Sequence, residues 1–237
     1  MSKDASFGIY VPSYKRADTT TTYMHIPQAV YVVRKSEESA YRDKGIESVL
    51  SVEDSLIDNV VKVNQRLIDN AEEDIICVLD DDIRTFVYRV DTTTEITDHD
   101  IIISELERIA QLMLDLDIGY GAVDATAIPY NYTQEFDWKG SSGSTRWINR
   151  KVFKAKLDES VIYNFDIDII LQELLTNRIT LKPKYFVSQG RADVNKGGNS
   201  EKKRADQIAC ITLMKKKWGK HFEYNLKHNK PFIHVKR

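Results

Sequence analysis

Cysteine is scarce in this 237-residue chain: Cys77 and Cys210 are the only two, far apart, each inside an apolar segment and without partners at metal-ligand spacing. That argues against a disulfide framework or a cysteine-held metal, and leaves two buried free thiols in a reducing compartment. There is no run of about eighteen apolar residues, and the polar start MSKDAS has neither the basic stretch nor the apolar core of a secretory leader. A soluble, cytoplasmic protein with no membrane partner is therefore expected. No internal repeat and no low-complexity segment occurs either. Overall charge is also slight, at -2, but the mean conceals an asymmetry. Residues 178–237 carry 16 Lys and Arg against 4 Asp and Glu, an excess of +12, so the preceding part is correspondingly acidic.

What is present suits one domain. With 42% hydrophobic residues the chain can bury a single substantial core and is too short for two full-sized domains. The runs FGIYVP (7–12), AVYVVR (29–34) and, more weakly, IESVLSV (46–52) read as buried strands. Between Asp54 and Ala71 the apolar residues recur at helical spacing. The next run, IICVL (75–79), is the pattern of a strand covered on both faces. Residues 85–90 read as extended, the threonine-rich stretch after them as a turn, and 98–117 as an amphipathic helix that Asp98 can cap. A mixed region follows to Ala155, then a helix entered through Asp166, a strand at 179–187, a mobile glycine-containing loop at 189–200, a helix at about 201–217 and a strand-like PFIHVKR. This alternation predicts an α/β fold with a mainly parallel sheet flanked by helices.

Asp80, Asp81 and Asp82 directly follow the most buried strand. In open α/β sheets ligands bind beyond the carboxyl ends of strands, so these carboxylates are expected in the site. Three adjacent carboxylates repel one another unless a cation or hydrogen-bond donors compensate, and a hard divalent ion bridging two phosphates is one such compensation. A capping or solvated acidic turn is the plainer alternative.

The strand FGIYVPSYKR at the start, with IICVLDDDI about seventy residues later, resembles the nucleotide-binding half and the Asp-x-Asp motif of GT-A glycosyltransferases. The resemblance implies a GT-A fold, with about 1–118 binding a nucleotide-sugar and about 119–237 a basic acceptor-binding region. It implies Mn2+ or Mg2+ held by Asp80 and Asp82, with Asp80 and Asp81 beside the nucleotide and His221 (or His234) completing the metal shell. Pro12, Ser13, Tyr14 and Arg16 in the first loop then contact the nucleotide, where an aromatic ring can stack on a base and an arginine can pair with phosphate. Asn64 and Arg66 are further donor-side candidates, although both suit solvent equally well. Asp166 and Asp168 resemble the acidic motif before the helix that supplies the catalytic base in inverting members, with Asp166 preferred; simple helix capping is the alternative. Trp138 and the Gly-Ser loop 139–146 before Trp147 fall in the acceptor and sugar-binding segment, with core packing the alternative for either tryptophan.

The small size and basic C-terminal part resemble the phage glycosyltransferases associated with TET-like oxygenases. That resemblance implies a sugar moved from a UDP-sugar to the hydroxyl of 5-hydroxymethylcytosine in DNA, inside an infected host cell. Arg191, Lys202, Lys203 and Arg204 are the candidate acceptor contacts, because lysines and arginines pair with the phosphate backbone. Solvated helix faces are the alternative. A glycan, lipid or protein acceptor keeps the same chemistry, and a non-catalytic nucleic-acid-binding module discards it. A nucleotidyltransferase would carry a glycine-rich first loop, and SYKRADTTTT has no glycine.

Overall fold

A computed structural model describes residues 6–129, 132–140, 142–190 and 203–236. Its centre is a six-stranded sheet built from β1 (Phe7–Pro12), β2 (Val30–Arg34), β3 (Val49–Val52), β4 (Ile75–Leu79), β7 (Tyr120–Ala122) and β9 (Thr145–Asn149). The strand order is β3-β2-β1-β4-β9-β7. β1 pairs in parallel with both β2 and β4, and β2 with β3. β9 runs antiparallel to β4 and to β7, so it is the one reversed strand of a mainly parallel sheet.

Period-two alternation explains why β4 is apolar throughout. Ile75, Cys77 and Leu79 face one side, with Trp147 and the helix α3 (His99–Asp115), whose Ile102, Leu106, Ile109 and Met113 are all fully buried. Ile76 and Val78 face the other side, which is covered by α2 (Val60–Asn70), α4 (Phe165–Thr176) and α5 (Arg204–Trp218). Both faces are thus closed by helices, as a parallel sheet requires. Trp147 anchors the first layer: it is fully buried and its indole N–H donates to the Leu106 carbonyl at 3.1 Å. The free thiols of Cys77 and Cys210 are buried, one in each layer.

Several boundaries differ from the sequence reading for local reasons. The helix read from Asp54 begins only at Val60, because the Asn59 side chain caps it by accepting from the N–H groups of Val61 and Lys62. Asp98 caps α3 as expected, accepting from Asp100 and Ile101. A short helix α1 (Glu38–Asp43) precedes β3. The extended piece is β5 (Ile83–Arg89), and the threonine-rich stretch read as a turn is β6 (Thr93–Ile96); with β11 (Phe186–Gly190) they form a second, antiparallel sheet. β8 (Phe136–Asp137) pairs with β10 (Lys182–Pro183). The C-terminal part is a hairpin, β12 (Phe222–Asn225) and β13 (Lys230–Ile233), rather than one strand. Among the described residues no helix is long and apolar enough to cross a membrane.

Candidate active site

Beyond the carboxyl ends of β1, β2 and β4 the chain encloses a cavity of about 850 Å3. Pro12, Ser13, Tyr14, Arg16, Asp80, Asp81, Asp82 and Asp166 all line it, so the first loop, the aspartate turn and the start of α4 converge as the motifs predict. A volume of this size suits a nucleotide-sized ligand.

The aspartate turn is held by its backbone, leaving the carboxylates to the cavity. The threonines after SYKR do the holding: Thr20 Oγ1 donates to the Asp81 carbonyl at 2.6 Å, and Thr22 Oγ1 to the Asp80 carbonyl at 2.7 Å. Thr22 Oγ1 also accepts from the Ile83 N–H at 3.0 Å, and the Asp80 N–H donates to the Ser144 carbonyl. Thr20 and Thr22 are buried, so this clamp is shielded from competing water. On the far side Gly190 leaves room for Asp82: a Cβ at Gly190 would lie 2.8 Å from Asp82 Oδ1.

The three carboxylates have distinct surroundings. Asp81 is almost wholly buried and accepts from Ser13 Oγ and, at 2.9 Å, from Arg16. Arg16 also reaches Asp82 at 3.6 Å. Asp80 contacts Arg146 at 3.4 Å, yet its side chain remains 45% exposed to the cavity. Loss of solvent at the cavity floor, offset by Arg146 and reinforced by Asp82, Asp81 and Asp166, pushes its pKa up to about 6. Tyr41, whose hydroxyl touches Ser13, is also pushed up, to about 12, chiefly by burial.

A divalent ion, implied by the resemblance, can be tested against these donors. Asp80, Asp82 and Asp166 offer oxygen ligands only, which suits Mg2+ or Mn2+ rather than a thiolate-loving ion. Among the described residues no three His, Cys, Asp or Glu side chains are already gathered as a ligand set, and arginines sit against the aspartates instead. The chemistry of the donors fits a hard cation, which Asp80 and Asp82 could hold, while Asp81 is committed to Ser13 and Arg16.

Other expected site residues lie elsewhere. Asp168 does not line the cavity: it is 1% exposed and accepts from Gln172, Lys217 and Trp218 Nε1 at 2.7–2.9 Å, a fully satisfied tie between α4 and α5. Asn64 is buried against its own helix, donating to the Val60 carbonyl, and Arg66 lines a separate recess of about 440 Å3 beside Tyr10 and Glu73. His221 is exposed outside the cavity, its Nδ1–H donating to the His234 carbonyl, while His234 pairs with Glu223; neither ring faces the aspartates. Trp138 packs on Phe136 away from the cavity lining. Lys203 and Arg204 are exposed at the start of α5 and do not line the cavity either, although Gln207 one turn later does. Arg191 and Lys202 lie outside the described residues.

The structure also brings in residues that motif spacing did not disclose. Arg34, at the end of β2, stacks over the Tyr14 ring at 3.9 Å and donates to the Asp58 carbonyl. Arg146 on β9 and Ser142 in the Gly-Ser loop face Asp80 and Asp166, and Ser142 Oγ donates to Asp166. Tyr224 and Asn229 of the C-terminal hairpin close one wall. Arg34, Tyr224 and Asn229 are brought in by tertiary contact alone, whereas Ser142 and Arg146 belong to the Gly-Ser loop that the resemblance places in the acceptor and sugar-binding segment.

No family model matches the chain, and no curated protein sequence is similar to it. Solved structures are similar in fold. Glucosyl-3-phosphoglycerate synthase from Mycobacterium tuberculosis, in complex with Mn2+ and UDP-glucose, superposes with a TM-score of 0.56 at 10% identity, over 97% of this chain and 86% of that one. The same enzyme with Mn2+, UDP and glucosyl-3-phosphoglycerate gives 0.55 at 11% identity, over 97% and 87%. A structure described only as a mycobacterial protein gives 0.55 at 11%, over 98% and 83%. The likeness establishes the architecture. This chain has the GT-A fold.

Proposed function

We propose that the protein is a metal-dependent glycosyltransferase that takes its sugar from a UDP-sugar. The observation that carries this reading is the convergence of Asp80, Asp82 and Asp166 with the first loop around one nucleotide-sized cavity at the strand ends. The UDP, UDP-glucose and Mn2+ in the similar structures support it. When bound, the ion supplies positive charge to a departing diphosphate.

This chain's own residues account for the rest. Tyr14, already stacked under Arg34, offers a ring face for the base, and Arg16 a guanidinium near the phosphates. Asp166, oriented by Ser142, takes the proton of the acceptor hydroxyl as that oxygen bonds to the anomeric carbon. The bond from that carbon to the phosphate oxygen breaks, and UDP leaves with the electron pair.

For the acceptor we propose the hydroxyl of 5-hydroxymethylcytosine in DNA, as in the phage enzymes that the sequence resembles. The +12 excess over the last sixty residues supports a polyanion, as does the exposure of Lys203 and Arg204 beside the helical turn whose Gln207 reaches the cavity. The target base must leave the stack to reach Asp166. The test is sugar transfer from UDP-glucose with Mn2+ to hydroxymethylated duplex, unmodified duplex or 3-phosphoglycerate. Transfer to the first alone is expected, and changing Lys202, Lys203 and Arg204 to Glu should abolish it while sparing slow donor hydrolysis. Transfer to 3-phosphoglycerate instead would overturn the acceptor assignment and leave the donor chemistry standing. Asp80→Asn or Asp82→Asn should lower turnover by about 100-fold or more.

A further inference from the structure

Arg146 lines the cavity and makes, among the described residues, a single long polar contact. It stands on β9 opposite Val78 of β4, so alternation puts its side chain on the same face as Asp80, two residues along. Its side chain is only 11% exposed, and its one ion pair, to Asp80, is long at 3.4 Å. Its Nε is buried with no hydrogen-bond partner, and the nearest ring, Phe165 at 5.9 Å, approaches from the start of α4. Arg89 provides the contrast: fully buried on β5, it spends its guanidinium on the Lys184 carbonyl, the Thr126 carbonyl and Asp124.

Guanidinium offers five N–H donors in a fixed fork, and burying it without acceptors is costly. Arg146 lines the same cavity as Asp80 and Asp166, where the proposed donor's outer phosphate and the reacting sugar carbon must come together. Planar donors of this kind match phosphate oxygens two at a time. We propose that Arg146 is a donor-binding and catalytic residue that grips the distal phosphate of the nucleoside diphosphate, and that its contact with Asp80 is exchanged for this one on binding. The Arg146–Asp80 pair then keeps the cation poised and the carboxylate compensated until the nucleotide arrives. The fork takes up the negative charge that grows on the leaving phosphate as the sugar departs. This inference rests on the UDP-sugar reading of the site.

The test is calorimetric titration of UDP and of UMP, with Mn2+, into the wild-type protein, Arg146→Gln and Arg146→Lys. The two nucleotides differ only in the distal phosphate. Arg146→Gln should weaken UDP binding tenfold or more and change UMP binding less than twofold. Arg146→Lys, which keeps the charge but not the fork, should weaken UDP binding by about threefold or more and change UMP binding less than twofold. Melting temperatures accompany each variant, and if Arg146→Gln does not fold, the lysine variant decides by the same comparison of UDP with UMP. Equal weakening of UDP and UMP, or no weakening of UDP, would overturn the role of Arg146 while leaving the donor reading intact. A wild-type protein that binds neither nucleotide would overturn the donor reading, and this inference with it.

Discussion

Asp166 and Asp168 are two residues apart on one helix, which turns about 100° per residue, so their side chains point in nearly opposite directions. Only one can face the cavity, and it is Asp166; Asp168 ties α4 to Lys217 and Trp218 instead. The two substitutions should therefore separate. Asp166→Asn should remove most turnover and leave the melting temperature nearly unchanged. Asp168→Ala should cost about 1–3 kcal/mol of stability, since it strands the indole N–H and a partly exposed ammonium, while turnover below the melting range persists. Turnover assays beside thermal melts of both variants check this, and loss of turnover in a well-folded Asp168 variant would contradict it. The aspartates were legible because acidic residues after a fully apolar strand are unusual. His221 misled because a lone histidine in sequence carries no information about where its ring points.

At the level of elements, the aspartate turn is set by its neighbours. Thr20 and Thr22 grip its carbonyls, and Gly190 at the end of β11 gives Asp82 its space. Gly190→Ala should push Asp82 aside and reduce turnover by about tenfold or more without unfolding the protein. Unchanged kinetics in this variant would mean that Asp82 is not held there for the reaction. No local pattern marks Thr20 and Thr22 in the run ADTTTT; their role appears only when β1 and β4 lie side by side. For the same reason β6 was missed, since three of its four residues are exposed and the signal of alternation is lost. The strands β1, β2 and β4 were legible as continuous apolar runs rich in β-formers, and the helix α3 by its helical period. The C-terminal hairpin lacked that, although it closes the cavity.

Across the whole molecule, paired carboxylates outside the site set its acid limit. Asp124 is held below the usual carboxylate range: burial alone would raise it, but the Arg89 hydrogen bond and the nearby positive charges of Lys182 and Arg89 outweigh this. Asp158 is lowered too, first by Ser160 and then by Lys217. A depressed folded-state value means the stabilisation is present above the unfolded value of about 4 and is lost as pH falls through the folded one. Asp124→Asn should therefore be less stable than wild type at pH 7, with the gap narrowing below about pH 4. Urea unfolding across that range measures it, and a constant gap would contradict the pairing.

At the tip of β4, the proposed role of Asp80 and Asp82 is to hold a divalent ion together with a nucleoside diphosphate. Free Mn2+ has a paramagnetic resonance signal that collapses when the ion is bound, so its amplitude can be followed as UDP and protein are added. Wild-type protein with UDP should remove the signal well beyond UDP alone, and a variant carrying Asp80→Asn and Asp82→Asn should not. A signal indifferent to the wild-type protein, or removed equally by the double variant, would contradict it.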